Sequence, residues 1–464
     1  MKEYEKYINE LVGRFEKSLN STQSAFFDAD ELEEIIEHYF TVFNFEMVRT
    51  SLDFALNQYP YSVMFKIFKA QYLSGLHKTK EALDILAELE KIEPSNSEIY
   101  TTRAVIYGQM GLSEQAIENY KIALNYSDDP SEIYLAIGQE FLNEEKADDA
   151  IFYFKKAIKL KKDADYILNE LALSFDLANK NEDALKFFTE YIDEYPFSFP
   201  AWFNLGVCYS KKQEYEKAIE AYDYCLAIKD DFSSAYFNKG NALANLNRFE
   251  EAIEVYKETF TYEQPDPSAY FYIGECYEQL EKFDAALLSF NKAVKLDPNF
   301  ADAWLSIGIV LEAQNRITEG IHYIKKAIEI NALNPEYWYV FGEIQTKLGF
   351  YEEAINAFSR VLELGYDDFD VYLDFSSLLI ENGMEEDALI LLKEGIKNFP
   401  ESAELQYRLS AHLLLQSKKQ DALNHLQIAL SLDYEKHNEL FDFIPDLKEN
   451  ASVLQVINTY KKNK

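Results

Sequence analysis

The chain has 464 residues, with 81 acidic against 45 basic side chains and a formal net charge of −36. That charge repels phosphate backbones and anionic bilayers, so nucleic acids and membrane surfaces are poor partners. Apolar residues make up 48% of the chain, yet they form no uninterrupted run of about 18 that would read as a membrane span.

The opening stretch, MKEYEKYINELVGRFEK, is charged and amphipathic and lacks the apolar segment of a secretory signal. Residues 1–28 read as one cap helix and a Ser/Thr-containing linker, LNSTQSAFFDAD, that runs into Ala29; the expected location is cytoplasmic. From Ala29 the sequence repeats every 34 residues, and twelve frames reach Lys436. Ala82, Ala116, Ala150, Ala184, Ala218, Ala252 and Ala286 mark one small-residue column, which continues through Gly320, Ala354, Ala388 and Ala422. A second small column precedes it by twelve positions, at Gly138, Gly206, Gly240, Gly274, Gly308 and Gly342. Four residues after the alanines stands an aromatic column, including Tyr222, Tyr256, Phe290 and Phe358. Another precedes the glycines by four and holds Trp202, Trp304 and Trp338. Proline closes several frames, as at Pro196 and Pro298.

These columns dictate helices. Trp202, Leu205, Gly206 and Tyr209 lie at i, i+3, i+4 and i+7, one stripe of a helix. Ala218, Tyr222 and Cys225 form the same face of a second helix, across a short polar turn near Lys211 to Glu214. Two such helices approach closely only where side chains are small, so the Gly and Ala columns oppose each other and the rings fill the flanks. After Lys436, the stretch HNELFDFIPDLKENASVLQVINTYKKNK reads as two short helices around Pro445. This 437–464 segment is expected to cap the last repeat, or alternatively to support a homodimer through the terminal caps.

The pattern resembles the tetratricopeptide repeat family, on the run Trp202, Leu205, Gly206, Tyr209, Ala218 and Tyr222, and again on Tyr270, Ile273, Gly274, Tyr277, Ala286, Phe290, Ala293 and Pro298. The resemblance covers residues 29–436. It implies an all-α, right-handed α-solenoid superhelix of about twelve 34-residue helix-turn-helix repeats with a concave groove. Lys66 and Gln406 replace the aromatic in the second and last frames, and Ile36 and Val48 occupy small positions of the first, so the outer repeats depart most from the pattern.

Nucleotide-binding glycine loops, zinc-protease helices and nucleophile elbows have no match in the sequence. His412 and His425 share one frame, but no cysteine completes a metal set. Cys208, Cys225 and Cys276 read as buried reduced thiols. The chain is therefore expected to be no enzyme and to use no cofactor or metal.

What the resemblance implies for function lies in the second, fifth, ninth, twelfth and thirteenth positions of each repeat, which line the groove in that family. The fifth position gives Phe203, Phe237, Phe271, Leu305 and Tyr339; the ninth and twelfth add Asn241, Glu275, Glu278, Glu312 and Glu343. Two roles stay open for the Phe column: contact with a ligand, or packing between adjacent first helices. A groove both aromatic and acidic fits a protein or peptide segment with apolar and basic residues, held by a scaffold or adaptor. A chaperone-tail clamp is not expected, because Phe237 stands where that clamp needs lysine. A self-associating assembly protein is the alternative.

Overall fold

The structure is a computed structural model describing residues 2–19, 26–161, 165–366 and 368–463. Residues 20–25 of the expected linker lie outside the described residues. Among the described residues there are 27 α-helices and no strand. They fall into two units, Met1–Asp230 and Asp231–Lys464.

The first unit opens with α1 (Lys2–Leu19), α2 (Ala29–Thr41), α3 (Phe45–Gln58), α4 (Val63–Gly75) and α5 (Thr79–Ile92). It continues with α6 (Ser97–Gln109), α7 (Ser113–Ala123), α8 (Ser131–Asn143) and α9 (Ala147–Leu160). It ends with α10 (Asp165–Leu177), α11 (Asn181–Glu194), α12 (Phe199–Lys211) and α13 (Tyr215–Ile228). The second unit opens with α14 (Ser233–Asn245), α15 (Phe249–Tyr262), α16 (Pro267–Gln279), α17 (Phe283–Leu296) and α18 (Ala301–Ala313). It continues with α19 (Ile317–Ile330), α20 (Pro335–Leu348), α21 (Tyr351–Glu363), α22 (Asp370–Glu381) and α23 (Glu385–Asn398). It closes with α24 (Ala403–Leu415), α25 (Lys419–Leu432), α26 (Asn438–Phe443) and α27 (Ala451–Asn463).

Within each unit the helices pack as hairpins, and the second helix of one hairpin packs on the first helix of the next. The crossing is set by the small columns. A Cβ placed on Gly206, Gly240 or Gly274 would lie 2.5 Å from the ring of Tyr222, Tyr256 or Phe290, the aromatic of the paired helix. The crossing of α18 and α19 departs from this scheme: Ile324 replaces the ring, and the alanine column holds Gly320. There a Cβ on Gly320 would stand 2.7 Å from the Gly308 carbonyl oxygen, so this pair of backbones meets directly.

The first-helix aromatics do a second job. The indole Nε1 of Trp202 donates to Pro196 O at 2.8 Å, Trp304 to Pro298 O at 2.9 Å, and Trp338 to Ala332 O at 3.0 Å. Each bond ties a helix to the loop before it, so the aromatic and proline columns are two ends of one contact.

A further column emerges in the turns. Residues 43, 77, 111, 145, 179, 213, 247, 281, 315, 349, 383 and 417 all have positive φ, one per hairpin. The turn thus demands a left-handed residue, which Gly349 or Asn315 accepts readily and Phe43 (φ 54°) does not.

At the N-terminus α1 buries Leu11 and Phe15 against α2 and α3, in a cluster with Phe27 and Leu32. The Asp28 and Glu31 capping box starts α2. The C-terminal stretch holds α26 and α27, joined through a 3-10 turn at Pro445–Glu449 and preceded by another at Glu435–His437. Leu440, Phe441, Val453 and Ile457 cover Tyr407, Leu426 and Leu430 of the last hairpin.

Two outcomes are expected. Gly274→Ala should lower stability by about 1–3 kcal/mol, because the Phe290 ring cannot leave its site, and urea denaturation measures it. Phe43→Asn should raise stability by about 0.5–1 kcal/mol, since Phe43 is 79% exposed and gives up little packing when replaced. An unchanged or lower midpoint for Phe43→Asn would contradict the strain at this turn.

Candidate functional site

Along the second unit, α14, α16, α18 and α20 turn one face toward a shared cavity of about 760 Å³. The first helices are each held against the partner helix at a small-residue crossing, by a ring under α14, α16 and α20 and by Ile324 under α18. The ring of Tyr256, on α15, sits beneath Gly240 and reaches the cavity floor. There it stacks on Tyr272 of α16, with centroids 6.0 Å apart and planes 18° from parallel. The Tyr256 hydroxyl donates to Asn241 Oδ1 at 2.7 Å, fixing the asparagine on the wall of α14. Phe271 completes the aromatic lining and packs on Phe290 and Phe300 at 5.7 and 5.0 Å.

Carboxylates from three helices surround this floor: Glu275 and Glu278 from α16, Asp302 from α18 and Glu336 from α20. Among the described residues none of the four has a lysine or arginine within ion-pair distance. Asp302 is held from behind by the Tyr337 hydroxyl, which donates to it. Burial, then the charges of Glu278 and Asp302, push the Glu275 carboxyl up to about 7. Burial raises Glu278 as well. The cavity is thus an aromatic floor under partly desolvated negative charge, and a cation entering it relieves repulsion that the fold itself leaves in place.

Five of the residues expected at the groove meet here: Asn241, Phe271, Glu275, Glu278 and Leu305. Leu305 is buried, so only part of its surface lines the wall. Phe237 lies behind the floor, against Tyr256 at 5.7 Å and Tyr272 at 5.4 Å. Phe203 belongs to the first unit, 6.0 Å from the Tyr222 ring. Glu312 is paired with Lys347 at 3.0 Å. Tyr339 donates its hydroxyl to Asp374, and burial raises the nearby Glu343 carboxyl. The fifth-position rings therefore pack partly between helices and on second-helix rings, and of Phe203, Phe237 and Phe271 only Phe271 lines the cavity.

The structure adds Tyr272, Asp302, Glu336, Asn245 and Gln279. Asp302 and Glu336 occupy the second position of their frames, and Asn245 and Gln279 the thirteenth, so the same positional rule reaches them. Tyr272 stands at the sixth position, which that rule omits.

Elsewhere the chemistry is quiet. His425 Nδ1 shares a hydrogen bond with Gln406 Oε1 at 2.8 Å, while His412 is buried against Phe443, its ring centroid 5.0 Å away. No group of three metal-ligating side chains occurs among the described residues. All three cysteines are free and buried. Cys276 borders the cavity, but burial pushes its thiol up to about 12, so it stays protonated. No helix among the described residues is long and apolar enough to cross a membrane.

Family models described as tetratricopeptide repeat match residues 135–199, 237–299 and 278–335, with further matches at 199–232, 97–130 and 335–365. The chain is 31% identical over 144 residues to a probable UDP-N-acetylglucosamine–peptide N-acetylglucosaminyltransferase SPINDLY of Hordeum vulgare. It is 26% identical over 169 residues to the tetratricopeptide repeat-containing protein trd-1 of Caenorhabditis elegans. These stretches are 31% and 36% of this chain but only 12% and 20% of those relatives. Among solved structures, yeast Tom70 is 15% identical with a TM-score of 0.45, covering 93% of this chain and 95% of that one. A chain of the APC/C hetero-tetramer Cut9-Hcn1 is also 15% identical, with a TM-score of 0.43 over 88% of this chain and 94% of that one. The family-model matches, on hairpins in 34-residue register, establish that the chain belongs to the tetratricopeptide repeat family.

Proposed function

We propose that this protein is a non-catalytic interaction scaffold. Its array of twelve repeats over 29–436, closed by caps at 1–28 and 437–464, holds a segment of another protein on the inner face of the second unit. The ligand is a stretch of apolar and basic residues, and the setting is cytoplasmic. One observation carries the reading: four carboxylates converge over stacked rings in a cavity of about 760 Å³ with no cation of the chain's own at ion-pair distance among the described residues. Apolar side chains would cover Phe271 and Leu305, and basic ones would meet Glu275, Glu278 and Asp302. A net charge of −36 steers such a segment toward the protein from a distance.

The transferase activity in the name of the barley relative is not carried over, because the shared stretch is 12% of that protein. The protonated Cys276 thiol and the absence of a histidine at the cavity also fit a binding role. Association through the ends has weaker support. Helix α27 turns Val453 and Ile457 inward and exposes Gln455, Asn458, Thr459 and Lys461, as a solubilising cap does.

Selection of a displayed library of random twelve-residue peptides on the full chain tests this reading. The recovered peptides should be enriched in Arg or Lys beside aliphatic or aromatic residues. They should lose about tenfold in affinity for a Phe271→Ala, Glu278→Gln double variant, from one anchor ring and one charge contact. Acidic or neutral peptides, or equal binding to the double variant, would overturn it.

A further inference from the structure

We infer that the cavity between α14, α16 and α18 is an arginine socket: one guanidinium of the bound segment lies over the Tyr272 ring and spans the carboxylates of α16 and α18. The inference rests on the groove reading above and specifies which side chain anchors it.

Three features of the cavity favour guanidinium over ammonium. The first is the placement of acceptors. They stand on different helices, with Glu275 and Glu278 on one side and Asp302 and Ser306 on the other. A guanidinium carries five N–H donors in one plane and can serve both sides at once, whereas an ammonium offers three donors from a single point. The second is the floor. Tyr272 is stacked on Tyr256 within 18° of parallel, and Phe271 meets it nearly edge-on at 73°. This fixes a flat ring at the base of the cavity, and a planar cation lies on it with full contact. The third is desolvation. Glu275 and Glu278 are half-buried, so a bound cation must shed much of its water, and guanidinium is the more weakly hydrated of the two ions.

The socket is also preset. Tyr337 donates its hydroxyl to Asp302 from α20, and Asn241 accepts the Tyr256 hydroxyl, so the acidic wall and the aromatic floor are each held by a neighbouring helix. The groups facing Glu275 are Glu278 and Tyr272 on α16, Asp302 on α18 and Tyr256 on α15, with Glu336 of α20 on the same cavity; among the described residues no basic side chain lines it. Among the described residues an incoming guanidinium therefore displaces no internal ion pair.

The test compares three labelled octapeptides of alternating Phe with Arg, Lys or citrulline, titrated by fluorescence anisotropy into the full chain. The Arg peptide should bind at least about threefold tighter than the Lys peptide and about tenfold tighter than the citrulline one, in keeping with a bidentate, charge-assisted contact. A Glu275→Gln, Asp302→Asn double variant should bring the Arg peptide to the citrulline level and leave the citrulline peptide unchanged, with circular dichroism reporting intact helix content. Equal Arg and Lys affinities would overturn the arginine socket while leaving a basic-segment groove in place. Arg binding that survives the double variant would place the cation elsewhere and overturn the inference. Competition by spermine at the same concentration as the Arg peptide would overturn the choice of a chain-borne side chain. If none of the three peptides binds, the groove reading falls together with the socket.

Discussion

The rest of the structure depends on the contact between a glycine in one helix and a ring in its partner. The Gly240 and Tyr256 pair shows why. With no Cβ on Gly240, the Tyr256 ring fits against the α14 backbone, where a methyl group would stand 2.5 Å from it. The ring then extends past the crossing to the inner face, meets Tyr272 of the next hairpin and becomes the cavity floor. Packing and site thus share one side chain. A change that loosens the crossing should disturb the floor as well as the fold.

Electrostatics supplies what packing cannot. The surface of this acidic chain carries many ion pairs, such as Arg248 with Glu251 at 2.6 Å and Arg316 with Glu319 at 2.7 Å. They are largely exposed and individually worth little. The cavity departs from that pattern: Glu275 and Glu278 are partly buried beside Asp302, and among the described residues no lysine or arginine pairs with them. A fold indifferent to this face would gain from a lysine at any of several positions there. The surplus charge is what gives the cavity a preference among partners, because it penalises the empty state and rewards a cation.

The sequence made the hairpins legible because packing repeats with the register, and each column samples the same physical demand many times. The turn column was hidden for the opposite reason. Phe43, His77, Glu145 and Gln213 all hold positive φ, and no composition rule marks such residues as left-handed. The proline and tryptophan columns were visible separately, but their hydrogen bond needed coordinates. At the site, Glu275, Glu278 and Phe271 were readable from repeat position. The division of the fifth-position rings between lining and packing was not, because it depends on where neighbouring second-helix rings such as Tyr256 project. Tyr272 escaped because it stands at the sixth position, outside the positional rule, and its ring becomes floor only by stacking on Tyr256.

The claim that negative charge is held uncompensated at this cavity is tested most directly by stability against pH, for the full chain and Glu275→Gln. The Glu275 carboxyl is raised to about 7 when folded, so between the ordinary carboxylate range and 7 the folded chain holds a proton that the unfolded chain releases. The associated stabilisation is present below the unfolded value and is lost as pH rises through about 7. Chemical denaturation should therefore show stability falling from pH 5 to 8 more steeply in the parent than in Glu275→Gln. Parallel curves would mean that Glu275 titrates as an ordinary surface carboxylate, and the account of a charged cavity awaiting a cation would fail.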